Sequence, residues 1–296
     1  MSSRLALAAV GGGAAVELVA HDILPGKHLL DELDGACSVP TPKLRFSALG
    51  PKTSGHFFSR ARNRTVGYTI AYPPSYRRGD ELPLVVLLHA LDGANTRGLA
   101  GMTAQQALAL HVNDRPLPAM AIATADGGNG YWHAHPGDDP MAMITNELIP
   151  MCRALGLGRA PQRIGTLGIS MGGYGALLIA EKHPHLISAV AAISPAIWTT
   201  YQQARAADAG AYTSAADFAS NNAVTHASAL KGIPTRVASG NDDPFFPGVQ
   251  SLMKALPQDA VVELSSGCHT GPFFLAQEPQ SIGFLGGHLA RIRARA

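Results

Sequence analysis

The 296 residues carry 23 Lys and Arg against 21 Asp and Glu, for a formal net charge of +2, with 15% charged and 46% hydrophobic residues. That balance, with 32 glycines and 21 prolines, excludes a disordered or coiled-coil chain and leaves a well-packed globular protein with many loops. The small basic clusters Arg60/Arg62/Arg64 and Arg291/Arg293/Arg295 read as a solvated face and a chain end, so no nucleic-acid partner is expected.

At the amino end Arg4 precedes an apolar run over 5–20, the pattern of a secretory signal, although Glu17 interrupts it. The run is short and glycine-rich for a membrane-spanning helix. Gly35-Ala36-Cys37 matches the end of a lipoprotein acylation site, but Asp34 stands where an apolar residue belongs. The expectation is export, with this segment either cleaved or kept as an envelope anchor and as the one route to membrane contact. A cytoplasmic protein with a buried N-terminal helix is the alternative. Cys37, Cys152 and Cys268 allow at most one disulfide, and their spacing does not choose the pair. Pro25, Pro40, Pro42 and Pro51 mark a linker, so the chain divides into a leader and linker over 1–54 and a single domain over 55–296.

Two β-like segments, 55–60 and 65–72, flank a turn at Arg62-Asn63-Arg64, and Pro73-Pro74 ends the second. The continuous apolar run over 84–88 is the kind that lies inside a sheet covered on both faces. His89-Ala90-Leu91-Asp92-Gly93 follows it, with His89 read as a residue that fixes the loop. A helix is predicted over 97–112 and a second buried strand over 119–125. The loop after that strand offers Tyr131 and Trp132 as walls of a substrate pocket. His133 and His135, with Asp138 and Asp139 nearby, lack the H-E-x-x-H helix or cysteine set of a metal centre, so no metal is expected. A helix over 141–155 leads to the next strand.

That strand ends in Gly168-Ile169-Ser170-Met171-Gly172, a G-x-S-x-G turn between a strand and a small-residue helix. Such an elbow holds its serine in a strained backbone conformation, and Gly168, Gly172 and Gly173 remove the side chains that would obstruct it. Ser170 is the candidate nucleophile, at a helix N-terminus that favours developing negative charge. The donors to an oxyanion are then the N–H groups of Met171 and of Leu91 on the loop after the third strand. Further strands are predicted over 189–194, 235–240 and 261–264. Between the first two, 199–230 reads as weakly helical, either a cap over the site or surface helices. Asp243 is the candidate carboxylate on the loop after 240, with Asp242 as the alternative. His269, just past the last strand, completes the order Ser, Asp, His as general base. Helices over 248–256 and 279–295 close a mostly parallel α/β sheet covered by helices on both faces.

The chain resembles the esterase D/antigen 85 family of α/β hydrolases over about 55–288. The likeness rests on V-G-Y-T-I-A-Y-P-P at 66–74, V-V-L-L-H-A-L-D-G at 85–93, N-E-L-I-P at 146–150, G-I-S-M-G-G-Y-G-A at 168–176, and the Asp243 and His269 loops. It implies an α/β-hydrolase fold and a serine carboxylesterase acting on a small-molecule or lipid ester through an acyl-enzyme, with no cofactor. A mycolyltransferase-like acyltransferase is the alternative, and a non-catalytic binding protein on the same fold is the rival from another class. Two residues depart from the family pattern: Ala90 replaces a glycine of the oxyanion loop, and Cys268 stands beside His269.

Overall fold

Every residue of Leu84–Leu88 is buried, and the side chains alternate between two apolar layers. Leu84, Val86 and Leu88 face one layer and Val85 and Leu87 the other, as a period of two requires of a strand covered on both sides. The computed structural model describes residues 37–159 and 164–295, with backbone alone for 292–295. The apolar run at 5–20 lies outside the described residues.

The strands are β1 (Lys52–Ser59), β2 (Arg64–Ala71), β3 (Leu84–Leu88), β4 (His111–Val112), β5 (Arg115–Pro116), β6 (Ala121–Ala125), β7 (Ile164–Ile169), β8 (Ala189–Ile193), β9 (Thr235–Gly240) and β10 (Val261–Ser265). Eight of them form one sheet in the order β1-β2-β6-β3-β7-β8-β9-β10, and β4 and β5 form a separate small hairpin. The β1–β2 and β2–β6 pairs are antiparallel, and the pairs from β6 to β10 are parallel. Parallel pairing brings the carboxyl ends of β3, β7, β9 and β10 to the same edge of the sheet. The loops holding His89, Ser170, Asp243 and His269 leave from that edge.

One apolar layer is made by helices within 140–154, 171–182, 201–230 and 246–255, the other by Ala104–Leu108 and Gly271–Arg295. The expected helix over 97–112 shrinks to Ala104–Leu108. Thr103 begins it with a capping box to Gln106, and Asn113 and Asp114, both at positive φ, turn the chain into the β4–β5 hairpin. The last helix begins at Gly271 and runs through Pro279, eight residues earlier than the proline suggests. The helix expected over 141–155 contains a π-helical stretch, Ile144–Leu148, between Pro140–Met143 and Ile149–Ala154. Glu147 within that stretch accepts from Ser59 Oγ (2.5 Å), Arg60 N (2.8 Å) and Ala61 N (3.1 Å), capping the β1–β2 turn. The 199–230 excursion forms short helices that pack along the helix Met171–Lys182 through Tyr174 and Lys182. The excursion's buried residues, among them Ala204, Tyr212, Phe218 and Leu230, complete the apolar layer on that face of the sheet. Among the described residues no helix is long and apolar enough to cross a membrane.

Near the end of helix Met171–Lys182, Glu181 is 5% exposed, and neither carboxyl oxygen has a hydrogen-bond partner. Burial pushes this carboxyl up to about 9, against the opposing pull of Lys182. The folded protein therefore holds a proton here that the unfolded chain, with its ordinary value of 4.5, releases at neutral pH. Stability must then fall as pH rises between those two values, by at most about 1.4 kcal/mol per unit. Glu181→Gln removes this titration. In urea unfolding it should exceed the wild type at pH 8 by on the order of a few kcal/mol and match it below pH 4.5.

Candidate active site

Ser170 sits at φ 56° and ψ −122°, a conformation that a residue with a side chain rarely adopts. Close backbone approaches enforce it. A Cβ on Gly168 would lie 2.1 Å from the carbonyl oxygen of Gly172, and one on Gly172 would lie 2.0 Å from that of Leu88. The serine N–H donates to Ile193 O (2.9 Å), and its carbonyl accepts from Tyr174 N and Ala196 N, each at 3.0 Å. Met171 opens the helix, so its N–H has no acceptor within the helical ladder.

His269 Nε2 lies 2.8 Å from Ser170 Oγ, and its Nδ1 lies 2.8 Å from Asp243 Oδ2. The imidazole is 19% exposed and the Asp243 side chain has no exposed surface. Asp243 Oδ1 accepts from Phe245 N (2.8 Å), so both carboxylate oxygens are engaged. A carboxylate can only accept, so Nδ1 carries the proton and Nε2 is left to accept from the serine hydroxyl. Of the two candidate carboxylates, Asp243 and not Asp242 reaches the ring.

The loop after β3 is tied to the loop after β6. His89 is buried, its Nδ1–H donates to Ala90 O (2.7 Å), and its Nε2 accepts from Gly127 N–H (2.9 Å). Those bonds require the neutral ring, and burial lowers its pKa accordingly. His89 fixes the loop. Asp126 accepts from Asn95 N (2.7 Å), Asn95 Nδ2 (2.8 Å) and Gly67 N (3.1 Å), and Asp92 and Asn129 exchange bonds of 3.0 and 2.7 Å. Leu91 on this loop is 44% exposed. Gly172 touches the backbone of Leu88 and His89, which sets the loop beside the first turn of helix Met171–Lys182.

Two expectations need correction. Tyr131 and Trp132 are 4% and 1% exposed, both at positive φ. Trp132 spends its N–H on His89 O (3.1 Å), and the Tyr131 hydroxyl accepts from Trp198 Nε1 (3.3 Å). They support the site from beneath and offer no open wall. The half-buried rings nearest the imidazole are Phe245 and Phe274, each edge-on to His269 with centroids 5.0 and 4.9 Å away, and Trp198 packs on Phe245. Arg62, expected on a solvated face, is 4% exposed. It donates to both oxygens of Asp138 (2.6 and 2.8 Å) and to Asp126 O, clamping the loop that carries Tyr131 and Trp132. Burial would raise the Asp138 carboxyl, but Arg62 and Arg64 hold it below its ordinary value.

His133 and His135 stack, and their Nε2 atoms donate to Ala211 O (2.9 Å) and Gly130 O (2.8 Å). A cavity of about 470 Å3 beside His133, reached by Asp139, Lys182 and Asp217, contains none of Ser170, Asp243 and His269. The structure also pairs Cys37 with Cys268, which takes Cys37 away from the lipid-acceptor role that Gly35-Ala36-Cys37 suggests. Cys152 is free and buried, and burial pushes its thiol up to about 12. Trp198, Phe245, Phe274 and the Arg62–Asp138 clamp escape a reading of the sequence, because each meets the site only through folding. Phe245 alone carried a signal, since it lies two residues beyond Asp243.

Residues 59–258 match the family described as "Putative esterase". The chain belongs to this family. It is therefore an esterase, a carboxylic ester hydrolase acting on small-molecule esters. No curated protein matches the sequence. The esterase shares its fold with a ferulic acid esterase at a TM-score of 0.67 and 20% identity, covering 82% of this chain and 99% of the other. An S-formylglutathione hydrolase from Agrobacterium tumefaciens superposes at 0.61 with 15% identity, covering 85% and 100%. A substrate-bound fluorophosphonate-binding serine hydrolase of Staphylococcus aureus superposes at 0.62 with 15% identity, covering 81% and 99%. These likenesses agree with the esterase D-like resemblance and with the α/β-hydrolase fold.

The Arg62 clamp predicts a stability difference. Arg62→Met removes two charge-assisted hydrogen bonds and leaves the partly exposed Asp138 carboxylate with Arg64 alone, which should cost about 1.5–3 kcal/mol in denaturant unfolding. Arg64→Met, at a side chain 57% exposed, should cost under about 1 kcal/mol.

Proposed function

We propose that the esterase hydrolyses acyl esters through an acyl-enzyme on Ser170. The observation that carries this reading is the unbroken line Ser170 Oγ, His269 Nε2, His269 Nδ1, Asp243 Oδ2, with 2.8 Å at each hydrogen bond. His269 takes the serine proton as Oγ attacks the ester carbonyl, and Asp243 steadies the imidazolium that forms. The N–H groups of Met171 and Leu91 receive the oxyanion, each worth about 3 kcal/mol in the transition state. His269 then protonates the departing alcohol, and water, activated by the same imidazole, releases the acid. The flank made by Phe245, Phe274 and Trp198, with Leu91 exposed on the oxyanion loop, supports a substrate with an apolar group next to its carbonyl. A complete triad favours this reading over a binding protein.

Incubation with p-nitrophenyl esters of increasing chain length tests the scheme. The wild type should turn over, or release a burst, and Ser170→Ala should lose that release. Asp243→Asn should lower kcat by about 10^4, while Asp242→Asn should stay within a few-fold of wild type. Full activity in Ser170→Ala would remove the scheme.

Export is proposed as well, supported by the Cys37–Cys268 disulfide and the basic-then-apolar run over 4–20. Thiol trapping on fractionated cells should find this disulfide intact outside the cytoplasm. Reduced protein confined to the cytoplasm would reverse the assignment.

A further inference from the structure

The loop that carries His269 is held from two sides. On one side Asn241 N–H donates to Ser265 O (2.9 Å) and Asp242 N–H to Gly267 O (3.1 Å), which ties it to the loop of the triad acid. On the other side Cys268, fully buried and adjacent to His269, is bonded to Cys37 across 231 residues of sequence. The segment that starts at Cys37 is pinned again farther along. Ser47 N–H donates to Ala109 O (2.7 Å), His111 N–H donates to Arg45 O (2.8 Å), and Ser47 Oγ meets His111 Nε2 at 2.8 Å. Leu44 packs against the apolar layer under the last helix. Between the two anchors Val39 presses on the histidine loop: a Cβ on Gly267 would lie 3.2 Å from Val39 Cγ2. Residues 37–47 are therefore a strap fixed at both ends, and one end is the residue beside the triad imidazole.

We propose that the Cys37–Cys268 disulfide is a positioning element for His269, so that turnover depends on its redox state. The inference rests on the reading of His269 as general base given above. Cys37 is half-exposed, so an external dithiol can attack its sulfur as a thiolate. The S–S bond breaks, Cys268 leaves as a thiolate and takes up a proton, and the second thiol of the reagent then displaces Cys37, which is protonated in turn. The protein gains two electrons and two protons, and the dithiol becomes a cyclic disulfide. The strap is then free of the loop, and the imidazole keeps its hydrogen bonds, its edge-on contacts with Phe245 and Phe274 and the ties to the acid loop. Proton transfer between Ser170 and His269 requires the 2.8 Å alignment, so loosening the ring slows chemistry more than it weakens binding.

The disulfide also closes a long loop and must stabilise the whole fold, so a fall in melting temperature alone says nothing about positioning. The test compares oxidised protein, protein reduced with a dithiol and then reoxidised, Cys37→Ser, and Cys152→Ser as the control for the free thiol. Ester hydrolysis well below the melting temperature gives kcat and KM, and proton NMR follows the downfield Nδ1–H signal of His269. Reduction should lower kcat about ten- to a hundredfold. KM should stay within about twofold. Reoxidation should restore kcat, Cys37→Ser should show the low value without reductant, and Cys152→Ser should respond as wild type does. The Nδ1–H signal should broaden or disappear on reduction. Unchanged kcat and an unchanged signal, with only a lower melting temperature, would overturn the proposal. If no ester is turned over by any form, the esterase mechanism fails by itself, and the NMR response still decides whether the disulfide positions the ring.

Discussion

The site depends on backbone occupying space where side chains would ordinarily be. At the turn after β7 the carbonyl of Gly172 lies against Gly168, and that of Leu88 against Gly172. No residue with a Cβ fits at either position without moving main chain. This crowding holds Ser170 at positive φ, at the cost of order 1–3 kcal/mol that such conformations carry, and the buried strands around it supply the compensation. The same contact brings the loop after β3 onto the start of the nucleophile helix. The two N–H groups assigned to the oxyanion therefore come from elements locked to each other, not from loops that must find each other during turnover. Preorganised donors of this kind lose little when charge develops.

Much of this was legible in the sequence because strong local patterns agree with the global fold. The run Leu84–Leu88, the strand Thr235–Gly240 and the G-x-S-x-G turn read the same way locally and in place, and the parallel sheet follows from strands alternating with helices. Ser170, Asp243 and His269, read as one group, are brought within hydrogen-bond distance. The failures have physical causes. The helix expected over 97–112 ignored Gly98 and Gly101, while Thr103 supplied the actual start signal. Pro279 looked like the first residue of a helix but lies within one, a choice made by Ile282, Leu285 and Leu289 packing on the sheet. Tyr131 and Trp132 were placed on the right loop and given the wrong role, because sequence cannot tell which rings a loop turns inward. The cysteine pair stayed open because nothing in the spacing of Cys37, Cys152 and Cys268 favours one partner.

Charge is handled unusually for a chain with so little of it. Arg62, Asp126, Asp138 and Glu147 are spent on loop geometry rather than on solvent, and they join the β1–β2 turn, the π-helical stretch and the loop after β6. A buried ion pair rarely gains much over an apolar replacement of the same shape, but it specifies its partners, and breaking it is costly. Here the specified partners are the segments that support the oxyanion loop from behind. The N-E-L-I-P stretch fits the same network, since Glu147 caps the hairpin while Pro150, which has no N–H to donate back along the helix, follows directly on the π-helical stretch.

The two halves of the triad are thus held by different means. Ser170 is set by contacts between near neighbours in the sheet, and any change large enough to move it would disturb β3, β7 and β8 together. His269 stands on a short loop after β10, an edge strand with partly exposed side chains. The helix that starts at Gly271, with Phe273 buried against Gly267, two backbone hydrogen bonds to the acid loop and a disulfide to Cys37 hold that loop. On the proposed mechanism, a nucleophile fixed by local packing and a base tied to a distant cysteine would respond to different perturbations. Strain in the sheet should remove both, whereas a change confined to the strap reaches the base first.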